Sequence, residues 1–210
     1  MSIVKLNNNG VKNATAFGSI TGLGDLALIK TVTLASAAGS ISFVDGASDV
    51  VLDSTYKEYI FYFNNIHPSA NSDFAFNMSI DGGSNYNATK TTTFFNAFHY
   101  EDGSSAALAY QAGDDLAQAT GYQVLMAFGD LGINADDSLS GYLHLFDPSS
   151  TTFVKHFTAT TVSVNNEAAP YINNDFIAGY ANTTSAVNAI DFKMISGNID
   201  AGSISLYGVN

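Results

Sequence analysis

The alternation of large apolar residues with smaller or polar ones is the feature that most constrains this fold. In Phe74–Ile80, FAFNMSI, every second residue is large and apolar, and Ala, Asn and Ser stand between them. A period of two is typical of a β-strand with one buried and one wetter face. In Lys57–Asn64, KEYIFYFN, the side chains of Tyr59, Phe61 and Phe63 share one face, and those of Ile60 and Tyr62 share the other. Both segments are therefore predicted to be strands.

Similar runs recur along the chain, and we predict a strand in each of them. These runs are Leu26–Leu34, Ser40–Val44, Thr92–Tyr100, Tyr122–Phe128, Leu139–Phe146, Phe153–Val164, Phe176–Tyr180, Val187–Ile195 and Ser203–Tyr207. Turn residues separate them, as in Asp45-Gly46 and Asp147-Pro148. About ten short strands with such turns indicate a sandwich or barrel. We predict an all-β fold, a single jelly-roll-like β-sandwich over residues 25–210.

Two segments do not follow the strand pattern. Ser105–Ala119 is rich in Ala but contains Gly113, and we predict a long connection there with a turn or two of helix. Residues 1–24 are small, polar and rich in Gly, and we predict an extended N-terminal arm. The arm is interpreted either as a frayed terminus or as an assembly arm that orders on a neighbouring subunit. Its isolated apolar residues are Ile3, Val4, Leu6, Val11 and Phe17.

The charge of the chain excludes several classes of partner. Seven Lys, no Arg and 19 acidic residues give a formal net charge of -12. The absence of Arg and the acidity argue against nucleic-acid binding, since phosphates are bound mainly by cationic side chains. The same charge opposes binding to anionic lipid. No apolar stretch approaches the ~20 residues needed to span a bilayer, so we expect no membrane insertion.

No pattern in the sequence indicates catalysis, and we predict no catalytic residue, no metal site and no cofactor. The chain has no Cys, and no nucleophile elbow or phosphate-binding loop occurs. His144 and His156 lie on neighbouring predicted strands, but a metal needs three or four ligands. The acidic pairs Asp114-Asp115 and Asp136-Asp137 are interpreted as solvated loop charges. Asp81–Asn87, DGGSNYN, lacks calcium-loop spacing and is interpreted as a hairpin turn.

Five tyrosines lie near turn residues and allow two interpretations. They are Tyr86, Tyr110, Tyr122, Tyr171 and Tyr180. Aromatic side chains with polar neighbours bind sugars or proteins in many surfaces, because Tyr combines apolar area with a hydroxyl. The alternative, which we favour, is that these tyrosines cover the ends of the sandwich core.

Four segments carry a resemblance to virion surface proteins of tailed phages, particularly marine ones. They are DSTYKEYIFYFNNIHPS (Asp53–Ser69), SIDGGSNYN (Ser79–Asn87), LHLFDPSSTTFVKHF (Leu143–Phe157) and FKMISGNIDAGSISLYGV (Phe192–Val209). The resemblance covers most of the chain after residue 50. Its phrases are turns and strands, so it identifies a β domain and no catalytic constellation.

The resemblance implies a function in particle assembly. A virion protein of this kind is made in the host cytoplasm, forms a homo-oligomer, commonly a trimer, and docks on capsid or tail subunits. The shortness of the region before the β domain favours a capsid decoration or a short tail appendage over a long fibre. The alternative is a receptor- or carbohydrate-binding module of a tail fibre, whose partner is a host surface glycan.

Overall fold

The computed structural model describes residues 26–127, 129–165 and 170–209, and within these ranges the chain is all-β with no helix. No helix that could span a membrane occurs in them. The twelve strands are β1 (Leu26–Thr33), β2 (Ile41–Val44), β3 (Glu58–Pro68), β4 (Phe74–Ser79), β5 (Lys90–Tyr100), β6 (Ala106–Tyr110), β7 (Gln123–Val124), β8 (Leu139–Phe146), β9 (Lys155–Val164), β10 (Tyr171–Ala181), β11 (Ala189–Met194) and β12 (Ile199–Val209).

The strands form two antiparallel sheets that pack as a sandwich, which confirms the predicted fold class. The large sheet has eight strands in the order β1-β12-β3-β8-β9-β10-β5-β6, and the small sheet has four in the order β2-β11-β4-β7. The first four strands alternate between the sheets and pair in turn with β12, β11, β8 and β7. Strands β9, β10, β5 and β6 then extend the large sheet beyond β8.

Aromatic side chains fill the space between the two sheets. Phe192 of β11 lies at the centre, 5.3 Å from Phe61 and 5.2 Å from Phe63 between ring centroids. Phe43 of β2 contacts Phe61 at 5.3 Å, edge to face. Such contacts add to the free energy gained by burying the rings. The period-two pattern of β3 and β4 therefore identified the core correctly.

Three expectations about local structure are wrong. Residues 106–110 of the segment predicted as a helical connection form β6, because pairing with β5 outweighs the weak helix propensity of a short Ala-rich run. The predicted strand Tyr122–Phe128 is reduced to Gln123–Val124. The predicted hairpin at Asp81–Asn87 instead crosses between the sheets, since β4 and β5 belong to different ones.

Candidate functional site

The outer face of the large sheet is the most unusual surface of the molecule, and we call it the open face. It consists of the side chains of β1, β12, β3, β8, β9, β10, β5 and β6 that point away from the small sheet. Opposed residues of antiparallel strands lie on one face, so the register defines rows across the sheet. The central row consists of Tyr62, Tyr142, Thr160, Phe176, Phe95 and Tyr110.

Ring contacts order the side chains of this central row. Phe95 and Phe176 are stacked, with centroids 5.0 Å apart and planes 11° apart. Tyr62 contacts Tyr142 at 6.2 Å and Tyr207 at 5.6 Å, in both cases edge to face. These rings hold one another in place although their outer surfaces are exposed. The open face therefore presents ordered aromatic side chains to its surroundings.

Most of the exposed large hydrophobic side chains of the described residues belong to the open face. They are Leu26, Leu28, Tyr62, Phe95, Leu108, Tyr110, Tyr142, Phe146, Val162 and Ile172. The others lie outside the strands, at Ile80, Ile133, Phe153 and Ile195. Scattered exposed apolar residues are ordinary, but ten of them on one face of one sheet indicate an interaction surface.

The open face is also nearly free of charge. In its regular part, the one carboxylate among the described outward positions is that of Glu58, and His144 Nδ1 lies 2.6 Å from it. The remaining polar residues there are mainly Thr, Ser, Asn and His. Since the whole chain has a formal charge of -12, the acidic groups are concentrated elsewhere. This face is where the electrostatic repulsion between two copies is weakest.

His144 and His156 lie on paired strands, as the sequence indicated, and both point to the open face. His144 contacts Glu58, and the His156 ring lies 6.2 Å from that of Tyr180. His67 is held elsewhere, with its Nδ1 2.7 Å from Asp200. No group of three or more side chains suited to a metal occurs in the described ranges. His144 and His156 therefore each contact a side chain of the same face, and a third histidine of the open face, His99, lies opposite Ile172 and Ala106.

A shallow groove of about 390 Å³ lies on the open face where β5, β10 and β9 are adjacent. Its outward side chains include Thr93, Ala178 and Tyr180. A Cβ at Gly179 would lie 2.6 Å from the backbone oxygen of Thr91, so only glycine allows this close approach of β5 and β10. The groove is predominantly apolar and therefore suits an apolar side chain better than a charged ligand.

The five tyrosines do not form one site. Tyr110 and Tyr180 lie on the open face, whereas Tyr86 and Tyr122 lie outside the small sheet. Only Tyr171 is buried, against Tyr100 with ring centroids 4.8 Å apart. The preferred interpretation as core covers therefore fits Tyr171 alone.

The outer face of the small sheet is closed by the chain's own loops. Asn77 of β4 is fully buried, and its Nδ2 donates to the carbonyls of Tyr86 at 2.6 Å and Thr120 at 3.0 Å. Its Oδ1 accepts a hydrogen bond from Lys90 Nζ at 2.5 Å. The side chain of Asn77 thus fastens the loops 80–89 and 111–122 over the sheet. We call this surface the closed face.

Two of the acidic residues interpreted as solvated charges have specific partners. Asp137 is buried, and its Oδ2 accepts hydrogen bonds from the backbone and side-chain nitrogens of Asn134, at 3.2 Å and 2.9 Å. Asp115 accepts a hydrogen bond from the Tyr110 hydroxyl. For Asp137 the solvated interpretation is wrong, because its carboxylate is buried and bonded within its own loop. Asp115 is partly exposed, so its bond to the Tyr110 hydroxyl does not contradict that interpretation.

A buried carboxylate on β10, that of Asp175, binds the segment between β7 and β8 from the inner side of the large sheet. Asp175 Oδ1 accepts a hydrogen bond from Ala127 N at 3.2 Å, and Oδ2 has no hydrogen-bond partner among the described residues. Burial raises the pKa of Asp175 to about 8, since a charged carboxylate is poorly solvated there. The residue contacts the segment between β7 and β8, so its position indicates a structural function.

The predicted arm residues Ile3, Val4, Leu6, Val11 and Phe17 lie outside the described residues.

The open face is not among the features predicted from the sequence, although the sequence of β3 contains a signal for it. Tyr59, Phe61 and Phe63 fill the core while Ile60 and Tyr62 face outward, so this strand is apolar on both sides. A strand with two apolar faces requires cover on both, and the sequence shows this without the structure.

Comparison with protein families gives no match for this chain, and neither do searches of curated proteins and of solved structures.

Proposed function

We propose that the chain is a structural protein of a virion surface, a capsid decoration or short tail-appendage component that acts by self-assembly and docking. The observation that carries the proposal is the open face, a broad sheet surface that is apolar and almost uncharged. In an acidic protein such a surface has no evident function in an isolated monomer. Its function is contact with another protein surface.

The dimensions of the open face suit a stable contact. Eight strands spaced about 4.8 Å apart, with ladders of about nine residues, give an area on the order of 1,000 Å². Each partner in a specific complex contributes about 800 Å². The central aromatic row supplies rigid side chains of the kind that dominate binding free energy. A neighbouring copy on part of this face therefore meets the requirements of a specific interface.

The strand order supports a jelly roll within this proposal. The pairings β1 with β12, β2 with β11, β3 with β8 and β4 with β7 are those of one long antiparallel ribbon wrapped across two sheets. Eight strands wrapped in this way make the two Greek keys of a jelly roll. Strands β5, β6, β9 and β10 are then an addition that widens the open face. Jelly rolls are frequent in viral capsid proteins.

The virion location and the trimer come from the resemblance to tailed-phage surface proteins. Its partners are copies of the chain together with capsid or tail subunits. Residues 2–20 are proposed to contribute as an assembly arm. The charge of -12 agrees with a particle surface that does not bind nucleic acid, since like charges repel the phosphate backbone.

Sedimentation equilibrium of the full chain over a wide concentration range tests the proposal. We expect an oligomer, a trimer if the resemblance holds, and weaker association for Tyr142→Ser in the central row of the open face. The matched control is Ile195→Ser, at a similarly exposed position outside the strands. A monodisperse monomer at high concentration, with no affinity for particle proteins, would contradict the proposal. Deletion of residues 2–20 without effect would end the assembly-arm hypothesis.

The second candidate is a module that binds a neutral host glycan in the groove of the open face. It is favoured by one observation, the two neighbouring rings of Tyr180 and His156 that line the groove. Gln118 lies beside them, and its Nε2 donates to Thr91 Oγ1 at 2.6 Å. Gln118 has a φ of 50°, a conformation that non-glycine residues adopt rarely and often at binding sites. Glycan-array binding that is lost in Tyr180→Ala would support this candidate, and an array without hits favours assembly.

A further inference from the structure

The four edge strands of the two sheets differ in how they are protected. An unprotected edge presents unpaired backbone groups to any other strand, so soluble proteins shorten, charge or bend their edges. Strand β2 has four residues and β7 has two. Strand β1 has a register shift between Leu28 and Lys30, and the Lys30 side chain brings a charge to the same edge. Each of these three edges therefore carries a recognised protective device.

Strand β6, with the sequence AALAY, is one residue longer than β2 and carries neither a bulge nor a charge. Its pairing with β5 is regular from Ala106 to Tyr110, without a bulge, and it contains no charged residue and no Pro. It is the last strand of the large sheet, and no described strand pairs with its other side. Leu108 at its centre is 74% exposed, more than any other large hydrophobic residue described. By the rules that govern natural sheets, this edge needs a partner strand.

The hydrogen bonds at the ends of β6 show which backbone groups point outward. Tyr100 N donates to Ser105 O at 2.9 Å, and Gln111 N donates to Phe94 O at 2.8 Å. Antiparallel partners exchange hydrogen bonds at every second residue, so Ala107 and Ala109 also point toward β5. The N–H and C=O groups of Ala106, Leu108 and Tyr110 therefore point away from the sheet.

We propose that β6 pairs with β6 of a second copy, antiparallel about a two-fold axis at Leu108. This inference rests on the proposed self-assembly and names one surface for it. Leu108 then lies opposite Leu108 of the second copy, and Ala106 lies opposite Tyr110. The two large sheets become one continuous sheet, and their open faces lie on the same side of it.

Two features identify a second copy as the partner strand. The first is symmetry, since a two-fold contact uses the same patch twice and AALAY places small and large residues opposite each other. The second is charge, because copies with a formal charge of -12 approach most easily through an uncharged strand. The carboxylate of Asp115 is bonded to the Tyr110 hydroxyl at one end of the strand. If the open faces form trimers, this contact joins two trimers, so that the full chain sediments as a hexamer at high concentration and as a trimer where the β6 contact has dissociated.

A single-cysteine variant tests the contact directly, because the chain contains no Cys. In the proposed register, Leu108 forms a hydrogen-bonded pair with its own copy, with Cα atoms about 5.5 Å apart. That separation lies within the range of a disulfide, about 4.4–6.8 Å. Oxidised Leu108→Cys is expected to run mainly as a covalent dimer on a non-reducing gel. Phe153→Cys is the control, because Phe153 is similarly exposed at 70% but lies in a loop.

Equal crosslinking of the two variants would overturn the inference. So would crosslinking of Leu108→Cys that appears only after deletion of residues 2–20, since the chain's own terminus would then cover β6. In the complementary variant Leu108→Lys, the charge protects the edge, and we expect association at least tenfold weaker with an unchanged far-ultraviolet circular dichroism spectrum. Ile133→Lys is its control, as an exposed position outside the strands.

The two proposals fail in different ways. A full chain that stays monomeric at every concentration contradicts self-assembly itself. A full chain that forms an oligomer which Leu108→Lys leaves intact contradicts only the β6 contact. Oligomers of Leu108→Lys with half the mass of the native ones would support both.

Discussion

The open face and the closed face are the two outer surfaces of one sandwich, and they are built on opposite principles. On the closed face every residue of β4 is buried, including Asn77 and Ser79, because two loops cross the sheet. On the open face Tyr62, Tyr142 and Phe95 remain exposed at more than a third of their surface. The chain therefore covers its polar sheet surface and leaves its apolar one bare.

The difference shows where each surface finds its partner. Buried polar groups must be hydrogen-bonded, and on the closed face the chain supplies those bonds from its own loops. Apolar side chains on the open face need only the removal of water, and a flat surface of another protein provides it. A monomer of this shape is stable but retains a surface suited to association.

Asn77→Ala is expected to lower the free energy of unfolding by about 3 kcal/mol, because it removes a hydrogen-bond partner from one buried and two partly buried groups. These are the Lys90 ammonium and the carbonyls of Tyr86 and Thr120. Urea unfolding measures the change. The control is Asn174→Ala on the open face, where the exposed amide should contribute less than about 0.5 kcal/mol. A loss of under about 1 kcal/mol for Asn77→Ala would remove the distinction between the faces.

Asp175→Asn is expected to raise stability at pH 8 by on the order of 2 kcal/mol and to leave it unchanged at pH 4. Since the pKa of Asp175 is raised to about 8 in the folded chain, the folded state binds more protons than the unfolded one above about pH 4. Stability therefore falls as the pH rises through this window, and the amide removes that dependence. Asn also keeps an oxygen for Ala127 N.

Thermal unfolding of Asp175→Asn and of the native chain at pH values from 4 to 8 measures this difference. Glu58→Gln is the control on the open face, because the carboxylate of Glu58 is partly exposed and its pair with His144 should contribute less than about 1 kcal/mol. Parallel pH profiles for Asp175→Asn and the native chain would contradict the assignment of Asp175 as a buried anchor.

Tyr62→Thr is expected to have the smallest effect on the monomer, lowering the free energy of unfolding by less than about 1 kcal/mol in dilute solution. Thr is a good strand residue and the Tyr62 ring is already partly exposed. The association constant should fall much more, by tenfold or greater, because the ring belongs to the central row. Unfolding at low concentration and sedimentation at high concentration separate the two effects. Loss of folding without loss of association would reverse our account of this face.

The sequence was sufficient for the fold class and for most of the core. Strong alternation identified β3, β4 and β8, since large aromatic residues at every second position leave little choice of structure. It failed for β6, because AALAY has no distinctive pattern and becomes a strand only by pairing with β5. That failure concealed the edge strand that we propose to pair with a second copy.

Which surface is covered also could not be derived from the sequence alone. The polar positions of β4 look solvent-facing, and only the course of the loops 80–89 and 111–122 buries Asn77. Likewise, the turn signals at Asp81–Asn87 indicate a reversal of the chain but not which strands pair on either side. Local patterns determine elements, whereas contacts between residues far apart in sequence determine the faces.

The central claim is that the open face is covered by assembly and the closed face by the chain itself. Carbene footprinting of the full chain at a low and a high protein concentration tests it most directly. We predict that labelling of Tyr62, Tyr142 and Phe95 falls as the concentration rises, while labelling of Tyr86 and Tyr122 stays constant. Labelling of the open face that is equally strong at both concentrations would contradict the account.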